Sequence, residues 1–174
     1  PMLCDPLLRG QLEQRGIDPE TLLDQYIELT NAAVRNRPAG VTAALHVCRG
    51  NLKGTWLSEG GYDAVAKKLF QNLEVDAFFL EYDTERAGGF EPLAEMPDDK
   101  FVVLGLISSK LPDMEDAETV KARIEAATQY ISLDRLGLSP QCGFSSAVAG
   151  NPVTIEDQKA KLRMVVEIAS DVWS

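Results

Sequence analysis

The chain has 174 residues, 45% of them hydrophobic and 25% charged, an apolar share that excludes wholesale disorder at a length suited to one domain with a sizeable core. The 17 Lys and Arg stand against 27 Asp and Glu, a formal net charge of −10 that repels phosphate backbones and anionic lipid, so nucleic acid and membrane are not expected partners. Three sparse cysteines, Cys4, Cys48 and Cys142, make no disulfide framework and point to a reducing cytoplasm.

In chain order, segment 18–37 carries the first clear helix signals: Asp18 as N-cap, Pro19 in the first turn, and Pro38 as terminator. Leu22, Leu23, Tyr26, Ile27, Ala33 and Val34 share one helical face. The apolar run 41–48 is too short for a typical helix and reads as a buried strand. Helical spacing returns over 62–73, with Val65, Ala66, Leu69, Phe70 and Leu73 on a common face. Segments 75–80 and 101–107 are the second and third strands. Asp116 caps a helix carrying Val120, Ile124 and Ala127, with Lys121 and Glu125 expected to pair on its wet side. A fourth strand fits 135–139. The last helix opens near Thr154 and presents Leu162, Val165, Val166, Ala169 and Val172. Strands alternating with helices imply parallel pairing through right-handed crossovers, an α/β fold. Gly60-Gly61 and Gly88-Gly89 lie in connections without the spacing of a phosphate-binding loop.

The polar residues at the strand ends form a pattern. His46 and Cys48 close the first strand, two apart and therefore on one face. Glu81 closes the second, and Cys142 follows the fourth. All lie at carboxyl ends, where α/β barrels assemble their active sites. An imidazole, two thiolates and a carboxylate suit tetrahedral Zn²⁺. Each residue alone has a plainer reading: a buried His beside a structural Cys, a solvated loop carboxylate for Glu81 among Asp83, Glu85 and Arg86, a core thiol for Cys142. Their joint placement favours the metal. Ligands spread over about a hundred residues lack the compact spacing of a zinc finger and fit a site built by a whole barrel.

Three segments carry a family resemblance: Leu45-His46-Val47-Cys48-Arg49-Gly50, Phe78-Phe79-Leu80-Glu81-Tyr82-Asp83 and Leu138-Ser139-Pro140-Gln141-Cys142-Gly143-Phe144. With them, nearly the whole chain resembles the C-terminal part of the catalytic barrel of cobalamin-independent methionine synthase, and most of all its shorter single-barrel relatives. The resemblance implies a (β/α)₈ barrel and zinc held by His46, Cys48, Glu81 and Cys142. It implies a methyltransferase in which zinc deprotonates a homocysteine-like thiol, whose ordinary pKa is about 8.5, for attack on a methyl group. The family donor is a methylated folate whose leaving nitrogen needs a general acid. Here the sequence departs from the family: the loop histidine that supports the acid step corresponds to a position near Ile107, and His46 is the only histidine. Lys110 and Ser109 are candidates for substrate binding or simply residues of a solvated loop. The insert 51–61, with Trp56, is either a lid or a longer connection.

Two other functions remain open at this stage: zinc-dependent alkyl transfer to or from another thiol such as coenzyme M, and non-catalytic zinc binding. A (β/α)₈ barrel needs about 250 residues, whereas four strands are expected here. Residues 1–174 are therefore expected to form the C-terminal half of one zinc-binding barrel, with the N-terminal half outside this chain. That half, a small-molecule thiol and a methyl donor are the expected partners.

Overall fold

The computed structural model describes residues 2–174. Among the described residues, four of the five α-helices begin where short polar side chains accept the first unpaired amides. Asp5 accepts from Leu7 N and Leu8 N to start α1 (Pro6–Gln14), and Asp18 accepts from Glu20 N and Thr21 N to start α2 (Pro19–Val34). After β1 (Ala44–Val47), α3 (Ala66–Asn72), β2 (Ala77–Glu81) and β3 (Phe101–Ile107), Asp116 caps α4 (Ala117–Ala127). Following β4 (Leu136–Pro140), a reciprocal Thr154–Asp157 capping box opens α5 (Ile155–Val172). No helix among the described residues is long and apolar enough to cross a membrane.

The four strands pair in parallel in the order β1-β2-β3-β4, giving the α/β half-barrel expected. Parallel pairing puts every carboxyl end on the same side. One sheet face carries Val47, Phe78, Leu80, Val102, Leu104 and Leu106, all buried against the helices. The opposite face carries His46, Phe79, Val103 and Gly137 in register, and there Phe79 and Phe101 are each 37% exposed. β1 and β4 are the edges of this sheet.

Several elements differ from the sequence reading. α1 was not anticipated, because it buries none of its residues and so shows no apolar stripe; only its Asp-Pro start, repeated at Asp18-Pro19, announces it. β1 is four residues long, since 41–43 leave the ladder and the Asp76 carboxylate takes the Ala43 amide at 2.7 Å. α3 begins at Ala66, after a turn at 62–65 that aims Tyr62 back toward the strand ends. On α5 the buried positions are Lys161 and Ile168, while Leu162 and Val166 face outward. Lys161 is tolerated inside because its ammonium meets the Asp113 carbonyl and the Glu115 carboxylate. Lys121 pairs with Glu118 and with Asp171 of α5, not with Glu125. A Lys placed four residues before a Glu is the weaker orientation on a helix, and α5 offers a better partner.

One glycine fixes how the last strand delivers its cysteine. A side chain at Gly105 would put a Cβ 2.8 Å from Gln141 Cα and 2.9 Å from the Leu80 carbonyl. Both neighbours are backbone, so neither can swing aside. The bare strand lets Gln141 cross β3, where its amide donates to Ile107 O at 2.7 Å. Gly105→Ala should therefore destabilise the fold by about 1–3 kcal/mol, read as a lower urea midpoint at unchanged slope; an unaltered midpoint would mean that this crossing is slack.

Candidate metal centre

The turn after β1 gathers polar groups because its backbone curls. Gly50 sits at φ 86°, a left-handed conformation natural to glycine. Here the Gly50 amide points at Cys48 Sγ, 3.1 Å away, and the Arg49 amide at Glu81 Oε2, 2.6 Å away. The Gln141 crossing brings in Cys142 from the far side of the sheet. Cys48 Sγ and Cys142 Sγ lie 3.2 Å apart, and Cys142 Sγ lies 3.5 Å from His46 Nε2. The donor atoms of His46, Cys48 and Cys142 all fall within 4.8 Å of one another, a group that could hold a metal ion.

The chemistry of this donor set fits a metal. Bonds of about 2.3 Å to sulfur and 2.0 Å to imidazole nitrogen set tetrahedral edges of roughly 3.5–3.8 Å. The His46–Cys142 separation already has that length, and the thiol pair would open by about half an ångström. The hydrogen bond with Cys142 pulls the Cys48 thiol far below its ordinary range, in spite of burial and with help from His46 and the Gly50 amide. The same contact, burial and the neighbouring charges of Cys48 and Glu81 push Cys142 up. One thiolate and one thiol thus share a proton that a cation would displace. Cys4 is buried among Leu3, Leu23 and other apolar side chains and is not one of the three clustered donors.

Glu81 lies outside the group of three. Its side chain is fully buried, which removes the solvated-loop reading. Oε1 accepts from Lys110 Nζ and Arg86 Nη2, each at 2.9 Å. Asp83 completes the cluster, 3.2 Å from Arg86 and 3.7 Å from Lys110. The four side chains are between 0% and 6% exposed, and their charges sum to zero, as buried charges require. Burial pushes Glu81 up, but its bonds to Arg86 and Lys110 outweigh that and hold it below the usual carboxylate range. Asp83 is pushed up by burial.

Lys110 and Ser109 are likewise buried rather than part of a solvated loop. Ser109 donates its hydroxyl to Gln141 Oε1 at 2.7 Å, so the loop after β3 is latched to the residue before Cys142. Ile107 is fully buried. Trp56 packs its ring against the Arg86 guanidinium, 4.6 Å from centroid to carbon, so the insert covers the ion cluster. Sequence reasoning passed over Arg49 and Tyr62. The Arg49 guanidinium is bound to the Gly60 carbonyl and lies 4.2 Å above the Tyr62 ring. Tyr62 Oη accepts the Glu81 amide at 2.8 Å and lies 3.3 Å from the Val47 carbonyl. It clamps the ends of β1 and β2 together. Beside β1, an apolar hollow of about 500 Å³ lined by Leu12, Leu23, Ile27, Leu45 and Leu69 reaches His46.

The family described as "Cobalamin-independent synthase, Catalytic domain" matches residues 3–171. The chain belongs to that family. Among curated proteins, this synthase-family chain is 51% identical over 164 residues to YxjG of Bacillus subtilis strain 168, an uncharacterized protein; the match covers 94% of this chain and 43% of YxjG. YxjH of the same organism, also uncharacterized, is 50% identical, with 91% and 42% covered. A crystal structure from Listeria monocytogenes, provisionally named a vitamin-B12 independent methionine synthase, superposes with a TM-score of 0.70 at 41% identity, covering 91% of this chain and 43% of that one. A B12-independent methionine synthase from Shewanella sp. W3-18-1, solved with selenomethionine, shares the fold at 22% identity (TM-score 0.66; 86% and 44% covered). The chain therefore spans less than half the length of these relatives.

The clamp is testable. Tyr62→Phe leaves the buried Glu81 amide without its acceptor and should cost about 1–3 kcal/mol in a urea titration; a loss below the error of the measurement would deny Tyr62 that role.

Proposed function

We propose that the chain carries the zinc site of a methionine-synthase-like methyltransferase that activates a homocysteine-like thiol. The observation that carries this reading is the convergence of His46 Nε2, Cys48 Sγ and Cys142 Sγ from two strands far apart in sequence. Zinc held by these residues would supply the charge that turns a substrate thiol into a thiolate at neutral pH.

The protein's own groups have defined parts. His46 offers Nε2 as a donor, and the two cysteines give up the proton they share. Glu81 is the fourth candidate donor, available on leaving its ion pairs. A structural zinc site is closed by four protein ligands, whereas a catalytic one keeps a position open. Three donors assembled with the carboxylate engaged elsewhere support catalysis over storage. The chain offers no second histidine for protonating a folate-type leaving group, so the general acid is assigned to the rest of the protein. The N-terminal half of the same barrel would pair along β1 and fill the apolar hollow beside it, adding the remaining substrate contacts. That assignment accords with a match to less than half of each relative.

Elemental analysis of the intact protein should give one zinc per chain. Cys142→Ser should weaken zinc by more than the roughly 10–100-fold that losing even a partner of a ligand brings, read in a chelator competition, while Cys4→Ser leaves both stoichiometry and affinity alone. Full zinc affinity in the Cys142→Ser protein would overturn the ligand set.

A further inference from the structure

We propose that Lys161 of α5 is a positioning residue that clasps segment 111–114, in the loop after β3, as a flap beside the candidate metal centre, and that the clasped flap helps to hold the substrate thiol. The second part rests on the thiol reading above and deepens it; the clasp itself depends on no metal.

The loop after β3 is held in two different ways. Among the described residues, 108–115 make no backbone–backbone hydrogen bond, so side chains alone fix the loop. Its first part is buried and tied several times. Ser109 donates its amide and its hydroxyl to Gln141 Oε1, at 3.3 and 2.7 Å, and its carbonyl accepts from Asn151 Nδ2 at 2.8 Å. Segment 111–114, by contrast, is exposed throughout. Among the described residues, its one hydrogen bond runs from the Lys161 ammonium to the Asp113 carbonyl. The same ammonium lies 3.0 Å from Glu115 Oε2, and Glu115 Oε1 accepts the Ser108 amide at 2.6 Å. Glu115 thereby joins the end of the loop to its start, and Lys161 closes the ring from α5.

Such a lysine is costly. Its side chain is 0% exposed, and an ammonium inside a protein needs specific partners to be tolerated. Leu162 and Val166 on the same helix face outward, so apolar side chains stand in solvent while the lysine is buried. An apolar residue at 161 would serve packing; only a donor can hold the Asp113 carbonyl. The clasp acts at the carboxyl end of the sheet, where parallel α/β folds assemble their sites. Ser109 is latched to the residue before Cys142, and Leu111 and Met114 stand about half exposed on the flap. Held there, these two apolar side chains cover the carbon chain of a bound thiol.

The test compares the intact protein as wild type, Lys161→Met, Glu115→Gln and Lys159→Met, the last a control at an exposed lysine of the same helix. NMR relaxation of the backbone amides reads the flap directly. Asp113 and Met114 should have order parameters of about 0.85 in the wild type and below about 0.6 in Lys161→Met, with the strands unchanged. Calorimetry on zinc-loaded protein should show homocysteine bound about 10-fold more weakly by Lys161→Met, because two flap side chains must then be ordered on binding. Lys159→Met should match the wild type in both measurements. Should Lys161→Met fail to fold, Glu115→Gln decides. It removes the charge that holds the ammonium but keeps an acceptor for Ser108, and its flap order must fall likewise. A folded Lys161→Met whose flap stays ordered overturns the clasp. So does a loss of order spread through the strands, which would make Lys161 a general prop. A loosened flap with unchanged homocysteine affinity overturns the part in substrate binding. If the wild type binds no homocysteine, the thiol reading is what fails, and the order parameters still judge the clasp.

Discussion

A carboxylate buried at the end of a strand has to be neutralised where it stands, and the way Glu81 is neutralised organises the carboxyl end of this sheet. Its amide is taken by Tyr62, which clamps β1 to β2. One oxygen orients the turn after β1 through the Arg49 amide, and that turn carries Cys48. The other oxygen draws in Lys110 from the loop after β3, which is latched through Ser109 to the segment delivering Cys142. Three connections that are distant in sequence are thereby tied to one charge, and the thiols meet as a consequence. Gly105 contributes by omission, leaving room for the chain to cross.

This arrangement explains why the donors divide into three and one. The thiols and the imidazole converge on one another, with one proton too many for two thiolates. The carboxylate is satisfied by cations of its own, in a cluster whose charges cancel. A cation arriving at the thiols displaces the one proton the pair holds between them, whereas recruiting Glu81 requires breaking buried ion pairs. The division suits a centre that exchanges a ligand during its work better than one that is sealed.

Much of this was legible in the sequence, for identifiable reasons. Parallel alternation followed from apolar runs of strand length between helical stripes, and strand-end chemistry picked out His46, Cys48, Glu81 and Cys142 before their distances were known. What escaped was what tertiary partners decide. α1 lacks an apolar face because it buries none of its residues. Lys110 and Ser109 looked like loop polar groups because nothing local announces that Lys110 meets a carboxylate 29 residues earlier. Tyr62 read only as the first residue of a helical segment, though the helix starts four residues later and the ring serves the strand ends.

The central claim is that the centre activates a thiol by binding its sulfur. X-ray absorption at the zinc edge of the intact protein, with and without homocysteine, tests it most directly. The account predicts two sulfur neighbours in the resting protein, from Cys48 and Cys142, and three when homocysteine is present, at zinc–sulfur distances of about 2.3 Å. A sulfur count that stays at two under saturating homocysteine would contradict thiol activation at this site.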